Sequence, residues 1–197
     1  VRPELRPYLA IIIAVVLLDQ ISKYLIHSYM VPGESIGILG NFVRFTFIFN
    51  PGGAFGLKFG NYWFYMVLSL IASVFIMAYF LKNIDQNWIA KCCLALVVGG
   101  ALGNFFDRLV HTQVVDFIDV DMPDIIIPPF ALGFFKFDGY ALYRWYTFNV
   151  ADAAVTTGLA GFIVHLIVKN KMTHGSAEPG RVDSAGHESA DPEIDRP

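Results

Sequence analysis

The sequence predicts a membrane all-α protein of four transmembrane helices, carrying a small extracytoplasmic β element. Three observations lead there. The 197 residues are 55% hydrophobic and only 16% charged, with a mean hydropathy of +0.53, too apolar a balance for an ordinary soluble domain. Apolar runs recur at about 8–27, 62–82, 88–109 and 147–169, each near the ~20 residues a helix needs to cross a bilayer. Aromatic residues are abundant, with 18 Phe, 9 Tyr and 3 Trp, as suits a chain with long membrane–water interfaces.

The first run follows Arg2 and Arg6 and is apolar from Tyr8 to Leu18, the length of a signal-peptide core. No small-residue cleavage site follows, and the chain continues as DQISKYLI, so an uncleaved span over 8–26 is expected. Residues 34–57 come next, ESIGILGNFVRFTFIFNPGGAFGL, where Phe42, Arg44 and Thr46 alternate with Val43, Phe45 and Phe47 before an NPGG turn. That pattern predicts short strands rather than a helix. Two spans separated by the short 83–88 connection follow, then a segment rich in Asp, Pro, Phe and Tyr over 110–146, then the fourth span. Residues 172–197 hold almost no large apolar group and read as a disordered tail, because they bury too little to offset their ordering entropy.

Basic residues set the orientation. Arg2, Arg6, Lys82, Lys91, Lys169 and Lys171 flank one side of the spans, against Arg44, Lys58, Lys136 and Arg144 on the other. The positive-inside rule places both termini and the tail in the cytoplasm, and 28–61 and 110–146 outside. The net charge of −3 excludes little, since many acids lie in the tail, and no Lys/Arg-rich run suggests nucleic acid. Cys92 and Cys93 are adjacent within an apolar run, which suits two packed thiols and no redox or metal role. Without an internal repeat, an inverted-repeat transporter gains no support.

Polar groups inside the spans carry the functional signal, because a charge near the bilayer centre costs about 2.5–3.5 kcal/mol. The first span holds Asp19, Gln20 and Lys23; Asp19 and Lys23 are i,i+4, and a self-neutralising pair near the outer interface accounts for them. In the third span Gly100, Asn104 and Arg108 form one stripe, and Gly99, Gly103 and Asp107 the stripe beside it. The glycines alone suit close helix packing. An amide and a guanidinium on one outward-facing stripe suit the carbonyls of an extended peptide. Asp116 lies in VVDFIDV among apolar neighbours, a setting that raises a carboxyl pKa. The fourth span opens with Asn149, Asp152 and Thr156 on one face; Asn149 also suits an N-cap and Asp152 a first-turn acid.

Asp116 and Asp152 thus stand at one membrane boundary on consecutive elements. No HExxH spacing or GxSxG-like setting competes, and neither a metal nor a cofactor is expected. Two acids without a metal are the inventory of aspartic-type hydrolysis, in which an ionised carboxyl activates water and a protonated one polarises the carbonyl. A small proton- or cation-coupled transporter is the alternative, and a non-enzymatic lipid-binding or assembly subunit a third reading. The transporter predicts acids at mid-membrane and repeat symmetry, and the sequence has neither.

LDQISK (18–23), FNPGGAFG (49–56), GGALGNFFDRL (99–109), VVDFID (114–119) and FNVAD (148–152) together closely resemble the lipoprotein signal peptidases, or signal peptidase II, in order and in layout, over about 8–169. The resemblance implies an aspartyl endopeptidase of the bacterial inner membrane, active at the extracytoplasmic face. Its substrates are diacylglyceryl-modified prolipoproteins, cleaved just before the lipidated cysteine. It implies Asp116 and Asp152 as the catalytic pair. Asn50, Gly100, Asn104, Arg108 and Asn149 would hold substrate or shape the site, and Asp19 and Lys23 would support it. Membrane lipid and globomycin-type cyclic peptide inhibitors are the further partners it implies. One departure stands out: the 35 residues between the two acids exceed what the family leads one to expect, so an enlarged lid on the outer leaflet is expected where the family has a covering helix.

Overall fold

The computed structural model describes residues 3–51, 62–82 and 87–175. Four long helices dominate: α1 (Arg6–Tyr29), α2 (Tyr62–Lys82), α3 (Trp88–His111) and α4 (Val150–Gly175). Among the described residues, three segments are long and apolar enough to cross a membrane: Pro3–Tyr29, Trp88–His111 and Val150–Met172. The fourth helix extends beyond the expected span and through Gly175, four residues into the expected tail; the rest of that tail and the 83–86 connection lie outside the described residues.

Helix α3 is central, packing against α1, α2 and α4. Asn87 caps it, its side chain accepting from the Ile89 N–H at 2.9 Å. Its glycines let the neighbouring backbones approach. A Cβ on Gly99 would stand 2.8 Å from Val15 Cβ on α1, and one on Gly100 would overlap the Ala151 carbonyl oxygen on α4. The apolar contact of α1 with α3 is built from Tyr8, Ile12, Leu94, Ala95 and Val98.

The expected strands form. β1 (Ser35–Leu39) and β2 (Val43–Asn50) pair antiparallel, and β3 (Val114–Val120) joins the far side of β2, giving the order β1-β2-β3. This sheet sits on one end of the bundle, because Ile26 and Met30 from the end of α1 pack with Phe47, Val115 and Phe117, and Val150 from the start of α4 packs against them. The sequence predicts no strand at 114–120. β3 nevertheless sets Asp116 opposite Ile48 and Val114 opposite Asn50, which carries the Asp116 carboxyl to the end of the first loop.

The expected lid region is a hairpin and contains no helix. β4 (Ile125–Ile127) pairs with β7 (Tyr140–Leu142), and β5 (Phe130–Leu132) with β6 (Phe135–Phe137). The two ladders are halves of one hairpin, interrupted where Pro128 and Pro129 face Asp138 and Gly139. Proline has no N–H to give a ladder. Gly139 adopts φ +87°, and a Cβ there would crowd Pro129 and the Ile127 carbonyl.

Candidate active site

The site lies where the C-terminal half of α1, the C-terminal half of α3, strand β3 and the first turn of α4 converge. Each supplies polar groups to one connected layer. Both local readings of the α4 start hold at once. Asn149 Oδ1 accepts from the Asp152 N–H at 2.9 Å, and Asp152 Oδ2 accepts from the Asn149 N–H at 3.3 Å, a reciprocal capping box. Asp152 is therefore pinned by the helix start that carries it, with its carboxyl half-buried.

Asp116 is 2% exposed. Its Oδ2 accepts from Asn50 Nδ2 at 2.9 Å and its Oδ1 from Asn149 Nδ2 at 2.7 Å. The two amides favour the carboxylate, as does the charge of Lys23. Burial outweighs them and, with the negative charge of Asp152 added, pushes the Asp116 pKa up to about 7. An amide relay connects the two acids. Asn149 Nδ2 also donates to Asn104 Oδ1 at 3.0 Å, and Asn104 Nδ2 donates to Asp152 Oδ1 at 2.7 Å.

Beneath this pair lies a buried charge cluster. Lys23 Nζ reaches Asp19 Oδ2 at 2.8 Å, Asp107 Oδ2 at 2.9 Å and Asn104 Oδ1 at 3.0 Å. The i,i+4 pair expected within α1 is present, with Asp19 and Lys23 both buried, but it is one side of a larger network. Asp19 Oδ1 accepts from the Ala151 N–H at 2.9 Å, next to Asp152 and at the positive end of the α4 dipole. Asp107 Oδ2 accepts from the Val115 N–H at 3.1 Å, next to Asp116. Lys23 thus joins two carboxylates, each of which holds the backbone beside one member of the Asp116–Asp152 pair.

The remaining expected site residues sit differently. Gly100 faces α4, where only a glycine admits the Ala151 carbonyl, so helix packing accounts for it. Asn104 spends its oxygen and one donor inside the protein, on Lys23, Asn149 and Asp152, rather than standing free for a peptide. Arg108 is half-buried and donates from Nη1 to the Asn104 carbonyl at 3.1 Å. Asp107 and Gln20 were not among the expected site residues. Gln20 Nε2 donates to Asp107 Oδ1 at 2.8 Å and to the Gly103 carbonyl at 3.2 Å. The available signal was a second charge on the glycine stripe of α3, unpaired within its own span and in need of the cation on α1.

Residues 11–168 match the family model described as Signal peptidase (SPase) II. The chain belongs to the signal peptidase II family. It is similar to the lipoprotein signal peptidase of Coxiella burnetii (strain RSA 331 / Henzerling II), 34% identical over 166 residues that cover 82% of this chain and 90% of the relative. The lipoprotein signal peptidase of Listeria monocytogenes serotype 4a (strain HCC23) is 30% identical over 168 residues, covering 85% of this chain and 97% of its own. A solved bacterial membrane enzyme superposes with a TM-score of 0.69 at 27% identity, over 89% of this chain and 94% of the other. A second superposes at 0.64 and 30% identity, over 81% and 92%. Signal peptidase II membership makes the chain a membrane-embedded peptidase and does not favour the transporter alternative.

Proposed function

We propose that this peptidase removes the signal peptide from lipid-modified prolipoproteins, cutting before the diacylglyceryl-cysteine with Asp116 and Asp152 as an aspartic pair. The observation that carries the reading is the amide relay: two carboxyls on different elements are tied through Asn149 and Asn104, and one of them has a pKa of about 7. Below about pH 7 Asp116 holds a proton, as aspartic hydrolysis requires of one member of the pair.

Asp116, the more buried acid, serves as the proton donor, and Asp152, at the positive end of the α4 dipole, serves as the base. Asp152 takes a proton from water as its oxygen attacks the scissile carbonyl. Asp116 donates a hydrogen bond to the developing oxyanion. Collapse of the tetrahedral intermediate breaks the C–N bond, and a carboxyl protonates the leaving amine, here the amino group of the lipidated cysteine. The Asn50 and Asn149 amides hold the Asp116 oxygens in place, leaving each oxygen a second lone pair for the proton and the substrate.

The same reading counts the α2 helix as a membrane span with the other three, places both termini and the 172–197 tail in the cytoplasm, and sets the peptidase domain at 1–171. Residues 28–61 and 110–146, with the site, then face outward from the bacterial inner membrane. The diacylglyceryl chains lie in the bilayer between helices, and globomycin-type cyclic peptides compete for the same place. The test is Asp116→Asn and Asp152→Asn, made separately and assayed on a lipid-modified prolipoprotein. Each should lose cleavage by about 10²–10⁴-fold, the usual contribution of a general acid or base, while remaining folded. Near wild-type cleavage by either variant overturns the pair.

A further inference from the structure

The 125–142 hairpin is built unlike the sheet from which it emerges. Its strands read III, FAL, FKF and YAL, and alternation of apolar and polar residues is missing from three of the four. In the register Phe130↔Phe137, Ala131↔Lys136 and Leu132↔Phe135, the large apolar side chains of the two distal strands share one face and Ala131 and Lys136 take the other. Ile126, Phe130, Leu132 and Phe135 are exposed, and Phe134, at the Gly133–Phe134 turn, is fully so. A lone two-stranded hairpin is marginal in water, and one with a bare apolar face more so.

We infer that the distal half of this hairpin, Phe130–Phe137, is an interfacial anchor that dips into the lipid leaflet bordering the active site. The reasons are geometric and chemical. An apolar face backed by a lysine makes an amphipathic ribbon, the form of an interfacial element whose apolar side enters the acyl boundary while its cation stays among headgroups. The hairpin is held at its base on the same sheet that caps the membrane helices. Arg144 Nε donates to Asp119 Oδ1 at 2.8 Å, Arg144 Nη1 donates to the Asn41 carbonyl at 3.0 Å, and the Trp145 N–H donates to the Val120 carbonyl at 3.1 Å.

Polarity is also graded along the ribbon. Asp121, Asp124, Tyr143 and Trp145 stand at the base, and the distal half carries Lys136 as its one charge, on a stem long enough to reach headgroups. The edges of both strands keep unpaired backbone groups, which bars full immersion in hydrocarbon and limits the dip to the ~5–10 Å of interfacial elements.

This inference rests on the membrane helices and the hairpin geometry, not on the proposed chemistry, so its test reads position rather than cleavage. Full-length Phe134→Trp protein is placed in phosphatidylcholine–phosphatidylglycerol bilayers, and its emission is taken as the difference from the parent chain. Expected are a blue shift against the same protein in detergent-free denaturant and strong loss of emission with lipids brominated near the glycerol end. Lipids brominated near the methyl end should quench less. Adding Leu132→Asp should abolish the quenching. Water-like, unquenched emission overturns the inference. So does a blue shift without bromolipid quenching, which would mean that protein covers the tip, and so does quenching that survives Leu132→Asp.

Discussion

Two neighbouring regions depart from the soluble-protein pattern in opposite directions. In the candidate active site and the layer beneath it, Asp19, Lys23, Asp107, Asp116 and Asn149 are buried. In the 125–142 hairpin, large apolar groups are exposed. Buried charge is tolerable where each group has partners with good geometry, and exposed apolar surface is tolerable where the solvent is lipid. The first region spends stability on fixing carboxyl positions, and the second adapts the chain to its surroundings. Substitutions in the two should therefore behave very differently.

The largest stability effect is expected at the centre of the polar layer. Lys23→Met leaves Asp19 and Asp107 facing each other without their shared cation, and the loss should be about 3–5 kcal/mol, the range for removing one partner of a buried pair. Thermal unfolding in detergent measures it, and Lys23→Arg should recover part. A loss under ~1 kcal/mol would show that water reaches the cluster and would erase the contrast between the regions.

Next in size is Gly100→Ala. The added methyl overlaps the Ala151 carbonyl, a backbone atom that moves only if α4 shifts on α3, and the cost should be about 1–3 kcal/mol. Because Ala151 precedes Asp152, the same shift should lower kcat for a lipid-modified substrate more than it raises KM. Unchanged stability and kinetics would mean that the helices yield freely at this crossing.

Legibility in the sequence followed the range of the interactions. The strands at 35–50, the four helices and the capping residues Asn149 and Asp152 could be read because they depend on periodicity and on i,i+3 contacts. The meeting of Asn50 with Asp116 could not. It requires β3 to pair with a strand 66 residues away, across a register shift between Phe45 and Ile48 that no local pattern encodes. Asp107 was visible on a glycine stripe, yet its importance depends on which face of α1 that stripe meets. The hairpin is legible only as an enlarged lid, since most of its short strands lack the alternation that marks a half-buried sheet.

A smaller effect, in pH rather than in stability, is expected at Asn50. The Asp116 pKa of about 7 lies above the ordinary 3.8, so the folded chain binds more protons than the unfolded chain between those values. Stability from this group therefore falls as pH rises from about 4 to about 7, and the penalty is complete above that window. If catalysis needs the Asp116 proton, activity also falls through about pH 7. The Asn50 amide favours the carboxylate, so Asn50→Ala should move that alkaline limb upward, as measured by kcat against pH. A downward move would assign the limb to another group. In Asp116→Asn protein the decline in stability over the same window should flatten.

The smallest effect belongs to the hairpin tip. Phe134→Ser removes a large apolar side chain, a change that costs about 3–5 kcal/mol in a packed core. Here the ring is fully exposed, so nothing in the fold depends on it, and thermal unfolding in detergent should shift by no more than about 0.5 kcal/mol. Measured beside Lys23→Met under the same conditions, this pair is the sharpest form of the comparison: a buried amine should matter several times more than an exposed phenyl. A loss of 2 kcal/mol or more (about the cost of emptying a core site) would mean that the tip folds back onto the protein. The hairpin would then be a packed element, and the apolar surface it presents would require no lipid.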